Sequence, residues 1–196
     1  MSETAADTTH GLFFEVEMKP GHMDHYFAHV DLLRPVLAQH TGMRWIERFR
    51  PDGREDALLS HQLWESEAAL AGWRRDALHR RSQAAGRKVH FADYRIRVAP
   101  RILHLEGGAV AEMPVAADAR LLLAVYAAAP FALPGAAWFA SVVREGSCLA
   151  LADMADDGAA RATARDAAAQ AAVRAASVFA VTRDYGMFRR TEAPEP

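Results

Sequence analysis

The sequence lacks several residues and motifs on which common protein chemistries depend. It has one cysteine, Cys148, among 196 residues, and it has no asparagine. A single cysteine excludes an intrachain disulfide and a zinc cluster built from cysteines. Gly107-Gly108 is followed by no lysine and stands in no GxGxxG context, so a phosphate-binding glycine loop is missing. No serine stands in a nucleophile elbow, which excludes that class of hydrolase site.

Long apolar runs and an excess of one charge are also missing. No apolar run approaches the roughly 18 residues of a membrane span. The net charge of −2 gives no general attraction to nucleic acid or anionic lipid. The first residues, MSETAADTTH, lack the basic and then apolar pattern of a signal peptide. We therefore expect a cytoplasmic globular protein with no nucleic-acid and no membrane partner.

The hydrophobic patterning of the first half predicts the element order β-α-β-β-α-β. Strands are expected at residues 11–18, 43–49, 57–64 and 91–102, with a first helix at 22–39 and a second after residue 66. This order predicts an α+β fold of the ferredoxin-like type, an antiparallel four-stranded sheet with helices on one face. Leu58 and Leu59 point to opposite faces of the third strand. We therefore expect the uncovered face of the sheet to pack on another layer.

The segment after the third strand predicts an amphipathic helix. Ser66 suits the N-cap, and Glu67 lies in the first turn, where the helix dipole favours negative charge. Leu70, Trp73 and Ala77 fall at i, i+3 and i+7 and so share one face. A basic second helical piece is expected to follow before the return strand.

The second half predicts a degenerate copy of the first. We expect a disordered tail at 1–9, a first domain at 10–102, a connector at 103–119 and the second copy at 120–196. Its strands are predicted at 120–127, 137–144 and 147–154, followed by an alanine-rich helix at 156–176 and a last strand at 177–189. This order lacks a counterpart of the first helix. The segments FADYR (91–95) and TRDYG (182–186) are also similar, although an unrelated α+β extension is the alternative.

Residues 12–102 resemble the antibiotic biosynthesis monooxygenase domain of the dimeric α+β barrel superfamily. The resemblance rests on the strand, Pro20-Gly21 turn and helix, on GMRWIERF (42–49), on WESEAALAGW (64–73) and on His79-Arg80 before a final strand. It implies two sheets packed face to face as an α+β barrel, which two chains supply in most members. Either the second half supplies the partner sheet here, or two chains form an isologous dimer. We expect a homodimer, because alanine-rich surfaces such as 159–176 often pack.

Members similar to this protein include oxygenases that oxidise anthrones and quinols in secondary metabolism. The resemblance implies a small, electron-rich aromatic substrate, molecular oxygen and no cofactor. The substrate is deprotonated and then reduces oxygen directly. Several such enzymes hold the substrate with asparagine beside tryptophan, so enzyme activity stays open in a chain without asparagine, where Gln62 or Gln83 could replace the amide.

The alternative function is a non-catalytic protein that binds an aromatic ligand, with heme among the candidates. Heme degradation in similar enzymes uses an asparagine, a tryptophan and a histidine ligand further along the helix. Here Trp73 is present, Gln83 stands at the position of the histidine, and asparagine is absent. That triad cannot be assembled from this sequence.

The candidate site residues are aromatic or titratable. A neutral histidine accepts a phenolic proton, and an indole or phenol hydrogen-bonds a developing anion. The predicted catalytic residues are His61, His79, Trp64 and Trp73, and the predicted substrate-binding residues are Tyr26, His29 and Tyr94. The two histidines in the first group are the preferred bases. For each residue the alternative is a packing role, since aromatic side chains at such spacing usually belong to the core.

Two further clusters have alternative explanations. His22, His25 and His29 lie along one side of the first helix but flank its apolar stripe, so we expect a solvated edge and no metal. The arginines between residues 74 and 87 indicate either a site for an anionic ligand or a solvated face. Because the second half offers alanine where the first offers Leu70 and Trp73, any active pocket is expected in the first half only.

Overall fold

The computed structural model describes residues 9–194. The first half contains β1 (His10–Met18), α1 (Met23–Leu37), β2 (Met43–Pro51), β3 (Ala57–Trp64), α2 (Glu67–Arg75), α3 (Ala77–Ala85), a π-helical segment (Gly86–His90) and β4 (Phe91–Glu106). The second half contains β5 (Ala109–Glu112), β6 (Arg120–Ala127), β7 (Ala137–Ser141), β8 (Cys148–Met154), α4 (Asp157–Ala168), β9 (Val173–Val181) and β10 (Arg183–Gly186). Within these residues, no helix is long and apolar enough to cross a membrane.

Eight strands close into a barrel within the single chain. The hydrogen-bonded order is β1-β3-β2-β7-β8-β6-β9-β4, and β4 pairs back with β1. One junction between the halves joins β2 to β7, with Phe49 opposite Ser141. The other joins β4 to β9, with Leu105 opposite Ala176. The second half therefore supplies the partner sheet inside the chain.

The predicted α+β fold is confirmed. The first half has the order β-α-β-β-α-β, with the second helix broken into α2 and α3. The second half has the same strand order and a single helix, α4, before β9. No helix corresponds to α1 in the described part of the second half, where the loop between β6 and β7 takes its place.

The barrel interior is a hydrophobic core that both halves build. Phe13 and Leu59 from the first half pack with Leu122 and Phe179 from the second, and all four are fully buried. Leu58, one residue from Leu59, lies on the outer face of the same strand beneath α1. The sequence predicted that the sheet face without helices would pack on another layer. That face is the inside of the barrel, where Leu59 lies.

The outer face is covered differently in the two halves. Beneath α2, a cluster forms around Trp64, Leu70 and Trp73. Beneath α4, the buried side chains of the helix include Ala160 and Ala164. The helices therefore meet the barrel through large side chains in one half and through methyl groups in the other.

The predicted face of Leu70, Trp73 and Ala77 does not continue into one helix. The helix ends at Arg75, because Asp76 adopts an extended ψ of 133° and caps a new helix by accepting from the backbone N–H groups of Leu78 and His79. Ala77 is exposed at the start of α3. A local N-cap therefore overrides the helical spacing that the sequence suggested.

The predicted boundaries of the second half also differ from the observed ones. The alanine-rich helix ends at Ala168 rather than near residue 176, because residues 173–181 pair with β6 as β9. Alanine fits both structures, so composition did not mark this change. The connector contains the end of β4 and a hairpin at Gly107-Gly108, both with positive φ, leading into β5. The predicted tail lies outside the described residues except for Thr9, which is buried and accepts from Arg44.

Candidate functional site

A cavity of about 1240 Å³ lies between the outer face of the first half's sheet and the helices α1, α2 and α3. Leu12, Phe14 and Ile96 of the sheet form its floor, and Val30 and Leu33 of α1 form part of its wall. Known ligand pockets are mostly about 300–1,000 Å³, so this space accommodates a polycyclic ligand.

The cavity exists because α1 stands away from the sheet. Tyr26 is the one buried residue of this 15-residue helix. Val30 and Leu33 are only partly buried, although both belong to the helix's apolar stripe. They face the cavity, and a ligand there would cover them.

Five of the seven predicted site residues line this cavity. They are Tyr26, His29, Trp73, His79 and Tyr94. Two neighbours hold their polar groups in place: the Tyr26 hydroxyl accepts from Arg48 Nε at 3.3 Å, and His29 Nδ1 lies 3.1 Å from Ser82 Oγ. His61 and Trp64, the other two predicted residues, do not line it.

His79 and Trp73 form a pair at the cavity wall. Their rings stack with centroids 4.0 Å apart and planes 11° from parallel. His79 Nδ1 lies 3.0 Å from the Trp73 carbonyl oxygen, so it carries the proton and donates. Nε2 is then the basic nitrogen of the ring.

Burial keeps the His79 imidazole neutral. It lowers the pKa of His79 to about 4, although the Trp73 carbonyl and the Asp76 carboxylate both favour the charged form. The ring is oriented by the break between α2 and α3, where Asp76 Oδ1 accepts from the His79 backbone N–H at 3.0 Å. That bond in turn lowers the pKa of Asp76. The site therefore holds an uncharged proton acceptor at neutral pH.

His61 lies inside the barrel, away from the cavity. Its Nε2 accepts from the Tyr126 hydroxyl at 2.7 Å, and its Nδ1 donates to the Leu12 carbonyl at 3.1 Å. The ring stacks on Phe13 at 4.2 Å and is fully buried, which lowers the pKa of His61 to about 3. Both nitrogens are occupied, so the predicted role of His61 as a base does not fit its position.

Trp64 lies behind the cavity wall. It is fully buried, and its indole N–H donates to Gln62 Oε1 at 3.0 Å. Gln62 itself lines the cavity, as does Gln83. Because the Gln62 oxygen accepts from Trp64, its NH₂ group is left to donate. Gln62 thus places a side-chain amide at the cavity of a protein that has no asparagine.

The second half closes one side of the cavity, which corrects the expectation that the first half alone would form it. Arg183, Tyr185 and Arg190 from the C-terminal segment all line the space. β10 lies beside β4, with Tyr185 opposite Ile96, and Arg190 Nη1 donates to the Tyr94 hydroxyl at 2.8 Å. The similarity of TRDYG (182–186) to FADYR (91–95) had drawn attention to this segment. It indicated an internal repeat, however, and not that the segment would line the cavity.

Arginines surround the cavity. Eight line it, Arg34, Arg48, Arg74, Arg75, Arg80, Arg87, Arg183 and Arg190, and no aspartate or glutamate is among the described residues of the lining. Four of the arginines between 74 and 87 line the cavity, and Arg75, Arg80 and Arg87 among them are exposed, so both explanations stay open.

The histidines of α1 meet a fourth histidine at the cavity mouth. His22 Nδ1 lies 2.9 Å from His90 Nδ1, and His25 stacks on His90 with centroids 4.9 Å apart. Burial, followed by the neighbouring histidines, lowers the pKa of His90. Within residues 9–194, no group of three or more ligating side chains is arranged to hold a metal ion.

Comparison with known proteins identifies a family for part of the chain. Residues 10–85 match the family described as antibiotic biosynthesis monooxygenase. That segment carries α1, α2, α3 and three of the four strands in the first half's sheet, including Gln62, Trp73 and His79. No curated protein matches the chain.

Several solved structures have a similar shape. An aldoxime dehydratase is 9% identical with a TM-score of 0.51, over 88% of this chain and 81% of its own. An anthrone oxidase-like protein is 11% identical with a TM-score of 0.44, over 96% and 98%. A protein from Lactobacillus acidophilus, provisionally named a monooxygenase, is 8% identical with a TM-score of 0.46, over 89% and 93%. At such identities the first of these is evidence for the fold alone.

Proposed function

We propose that the protein is a monooxygenase that oxidises a reduced polycyclic aromatic or quinol-type substrate without a cofactor, because residues 10–85 match the antibiotic biosynthesis monooxygenase family. The observation that carries the proposal is the cavity in this half, which has apolar walls and a neutral imidazole stacked on an indole. An aromatic ring fits such walls, and the imidazole accepts its acidic proton.

In the proposed reaction the substrate supplies all the electrons. For an anthrone, His79 Nε2 takes a proton from the ring CH₂ group, and the resulting carbanion reduces molecular oxygen. The CH₂ carbon becomes a carbonyl that keeps one oxygen atom, and the other oxygen atom leaves as water. No external reductant is needed, because the oxidation of CH₂ to C=O releases the same number of electrons as the conversion of O₂ to a carbonyl oxygen and water consumes.

The surrounding side chains compensate for the weak basicity of His79. An imidazole with a pKa of about 4 removes a proton only when the product anion is stabilised. The NH₂ group of Gln62 and the positive field of the cavity arginines provide that stabilisation, since a nearby opposite charge lowers the pKa of an acidic substrate. Trp73 and Leu12 hold the aromatic ring.

Oxygen uptake by metal-free protein with a panel of anthrones and quinols tests the proposal. We expect consumption above the spontaneous rate for at least one substrate. His79→Gln should lower kcat by about 100-fold, since general bases contribute about 10²–10⁴-fold, with little change in KM. His25→Gln is the matched control, because His25 does not line the cavity. Uptake at the spontaneous rate across the panel would count against the enzyme.

The pH dependence of turnover provides a second test. His79 acts only when neutral, and the pKa of His79 lies at about 4. The acid limb of kcat/KM is therefore expected near pH 4, well below the ordinary histidine range. A limb near the unperturbed value, unchanged in His79→Gln, would assign the base to another group.

The alternative is a non-catalytic protein that binds an aromatic ligand, with heme among the candidates. The size of the cavity favours this second candidate, since it exceeds most ligand pockets. His29, His79 and His90 are the cavity imidazoles that could meet heme iron, while Gln83 offers no comparable ligand. Titration with heme shows whether the ligand is heme or another aromatic molecule, because an unchanged Soret band would remove heme from the candidates.

The homodimer stays a prediction. Ala160, Ala164 and Ala167 are buried against the chain's own barrel, while Ala159, Ala162 and Ala169 are exposed and could contact a second chain. The barrel also closes without a second chain. Light scattering at low micromolar concentration distinguishes one chain from two.

A further inference from the structure

Three of the eight cavity arginines lie where the second half meets the first. Arg183 and Tyr185 stand two residues apart on β10 and so share one face. Tyr94 of β4 and Arg190 of the C-terminal segment meet beside them, and Arg74 of α2 lines the same cavity. These five residues are called the basic end of the cavity below.

Two acidic side chains lie near Arg183. Glu67 binds Arg183 Nη2 at 2.7 Å. Asp184 alternates to the other face of β10, where it holds Arg95 at 2.6 Å. Arg183 and Arg190 therefore bring two positive charges to this end of the cavity, and Glu67 brings one negative charge.

Arg183 and Tyr185 are largely enclosed polar groups of the basic end. Arg183 Nε is buried and has no hydrogen-bond partner among the described residues. Burial raises the pKa of Tyr185, and the charges of Arg183 and Arg74 oppose that rise, in keeping with their closeness. Arg183 Nε has no exposed surface, so a ligand in the cavity would meet the outer nitrogens of the Arg183 and Arg190 guanidinium groups.

We propose that the aromatic ligand carries a carboxylate, which binds at the basic end of the cavity through Arg183 and Arg190. Planar guanidinium groups match a carboxylate better than a neutral acceptor, because they donate two parallel charge-assisted hydrogen bonds. The tyrosine hydroxyls lie beside them. The aromatic rings then extend along the apolar floor towards Trp73 and His79. This inference deepens the proposed function and takes from it the aromatic part of the ligand.

Binding without turnover tests the inference. Anthraquinone-2-carboxylate and its carboxamide form a matched pair of fully oxidised rings that differ in charge. We expect the carboxylate to bind about tenfold more tightly than the amide at low salt, the factor that one charge-assisted hydrogen bond provides. High salt should reduce this advantage, since ions screen the attraction. Isothermal titration calorimetry measures both ligands.

Variants locate the charge preference. Arg183→Gln and Arg190→Gln are each expected to lower the carboxylate affinity by about tenfold and to leave the amide affinity within about twofold. Arg190→Lys keeps the charge but loses the planar fork, so it should recover only part of the affinity. Arg54→Gln is the matched control, because Arg54 binds Glu17 on the surface and does not line the cavity.

The outcomes separate this inference from the proposed function. Equal affinity for the two ligands, or an advantage that survives both glutamine variants, overturns the carboxylate site and leaves the oxygenase proposal standing. A preference for the carboxylate without oxygen uptake on any substrate supports the site and overturns the enzyme. Failure of both ligands to bind overturns the two proposals together.

Discussion

The two halves of the barrel carry their helices in different ways. In the first half, α1 stands away from the sheet, and the helices enclose a cavity of about 1240 Å³. In the second half, α4 packs directly on the strands through Ala160, Ala164 and Ala167. A methyl group lets a helix approach closely, whereas large side chains hold it at a distance. The same strand order therefore gives a binding half and a closing half.

The two halves therefore have different roles: the first encloses the cavity, and the second completes the barrel. The second half completes the barrel and supplies half of its interior, including Leu122 and Phe179. It also extends β10 and the C-terminal segment over the cavity of the first half. The degenerate copy thus works as a structural partner and contributes arginines to a single site.

Enlarging an alanine under α4 should have the largest effect on stability. Ala164 is fully buried between α4 and the strands, so Ala164→Phe is expected to lower the free energy of unfolding by about 3 kcal/mol. Leu33→Phe adds bulk beside the cavity, where there is space, and should cost much less. Urea denaturation of both variants measures the difference. Equal losses would contradict the close packing of α4 or the open space under α1.

The barrel interior should make stability depend on pH. His61 has a pKa of about 3 when folded and 6.5 as its ordinary value, so below that ordinary value the unfolded chain binds a proton that the folded chain does not. Stability is therefore present above pH 6.5 and is lost as the pH falls towards 3. Between about pH 8 and about pH 5 this amounts to about 2 kcal/mol.

Denaturation of a His61 variant at the two pH values checks this dependence. His61→Gln is expected to flatten the pH profile by about 2 kcal/mol, because no group remains to titrate there. His25→Gln should keep the wild-type slope, since His25 is exposed on α1. An unchanged slope in His61→Gln would show that the ring is not held neutral by the interior.

The helix caps offer the smallest and most symmetrical comparison. Ser66 caps α2 by accepting from the Ala69 N–H at 3.2 Å, and Asp156 caps α4 by accepting from the Ala159 N–H at 2.8 Å. Alanine at either cap should cost about 1 kcal/mol. Only Ser66→Ala should also weaken ligand binding, because α2 carries Trp73. Weaker binding in both variants would indicate that α4 also supports the site.

The fold was predictable because its signals are local. Alternation in the strands, the Ser66 cap and the glycine-rich turns each predict one element, and the element order then indicates the ferredoxin-like sheet. Leu58 and Leu59 further predicted a layer on each side of the sheet. Closure of the barrel within one chain was left open, because the pairing of β2 with β7 depends on contacts far apart in sequence.

The site was only partly predictable from the sequence. His61 and Trp64 stand three residues apart on β3, so the period of two directs them to opposite faces, and they could not both line one cavity. Ser60 and Gln62 alternate with His61 and do line it. Trp138 and Phe139 illustrate the same rule, since Phe139 lies in the interior and Trp138 packs on the α4 side. That the C-terminal segment lines the cavity could be seen only from the folded structure, because Arg183 and Arg190 are far in sequence from the rest of the site.

The central claim, one ligand site per chain in the cavity of the first half, is tested most directly by the stoichiometry of binding. Calorimetric titration with anthraquinone-2-carboxylate or its amide, whichever binds more tightly, is predicted to give one ligand per chain. Ala71→Trp fills the cavity from α2 and should abolish binding, whereas Ala162→Trp on the exposed face of α4 should not. Two ligands per chain, or full binding by Ala71→Trp, would contradict the account.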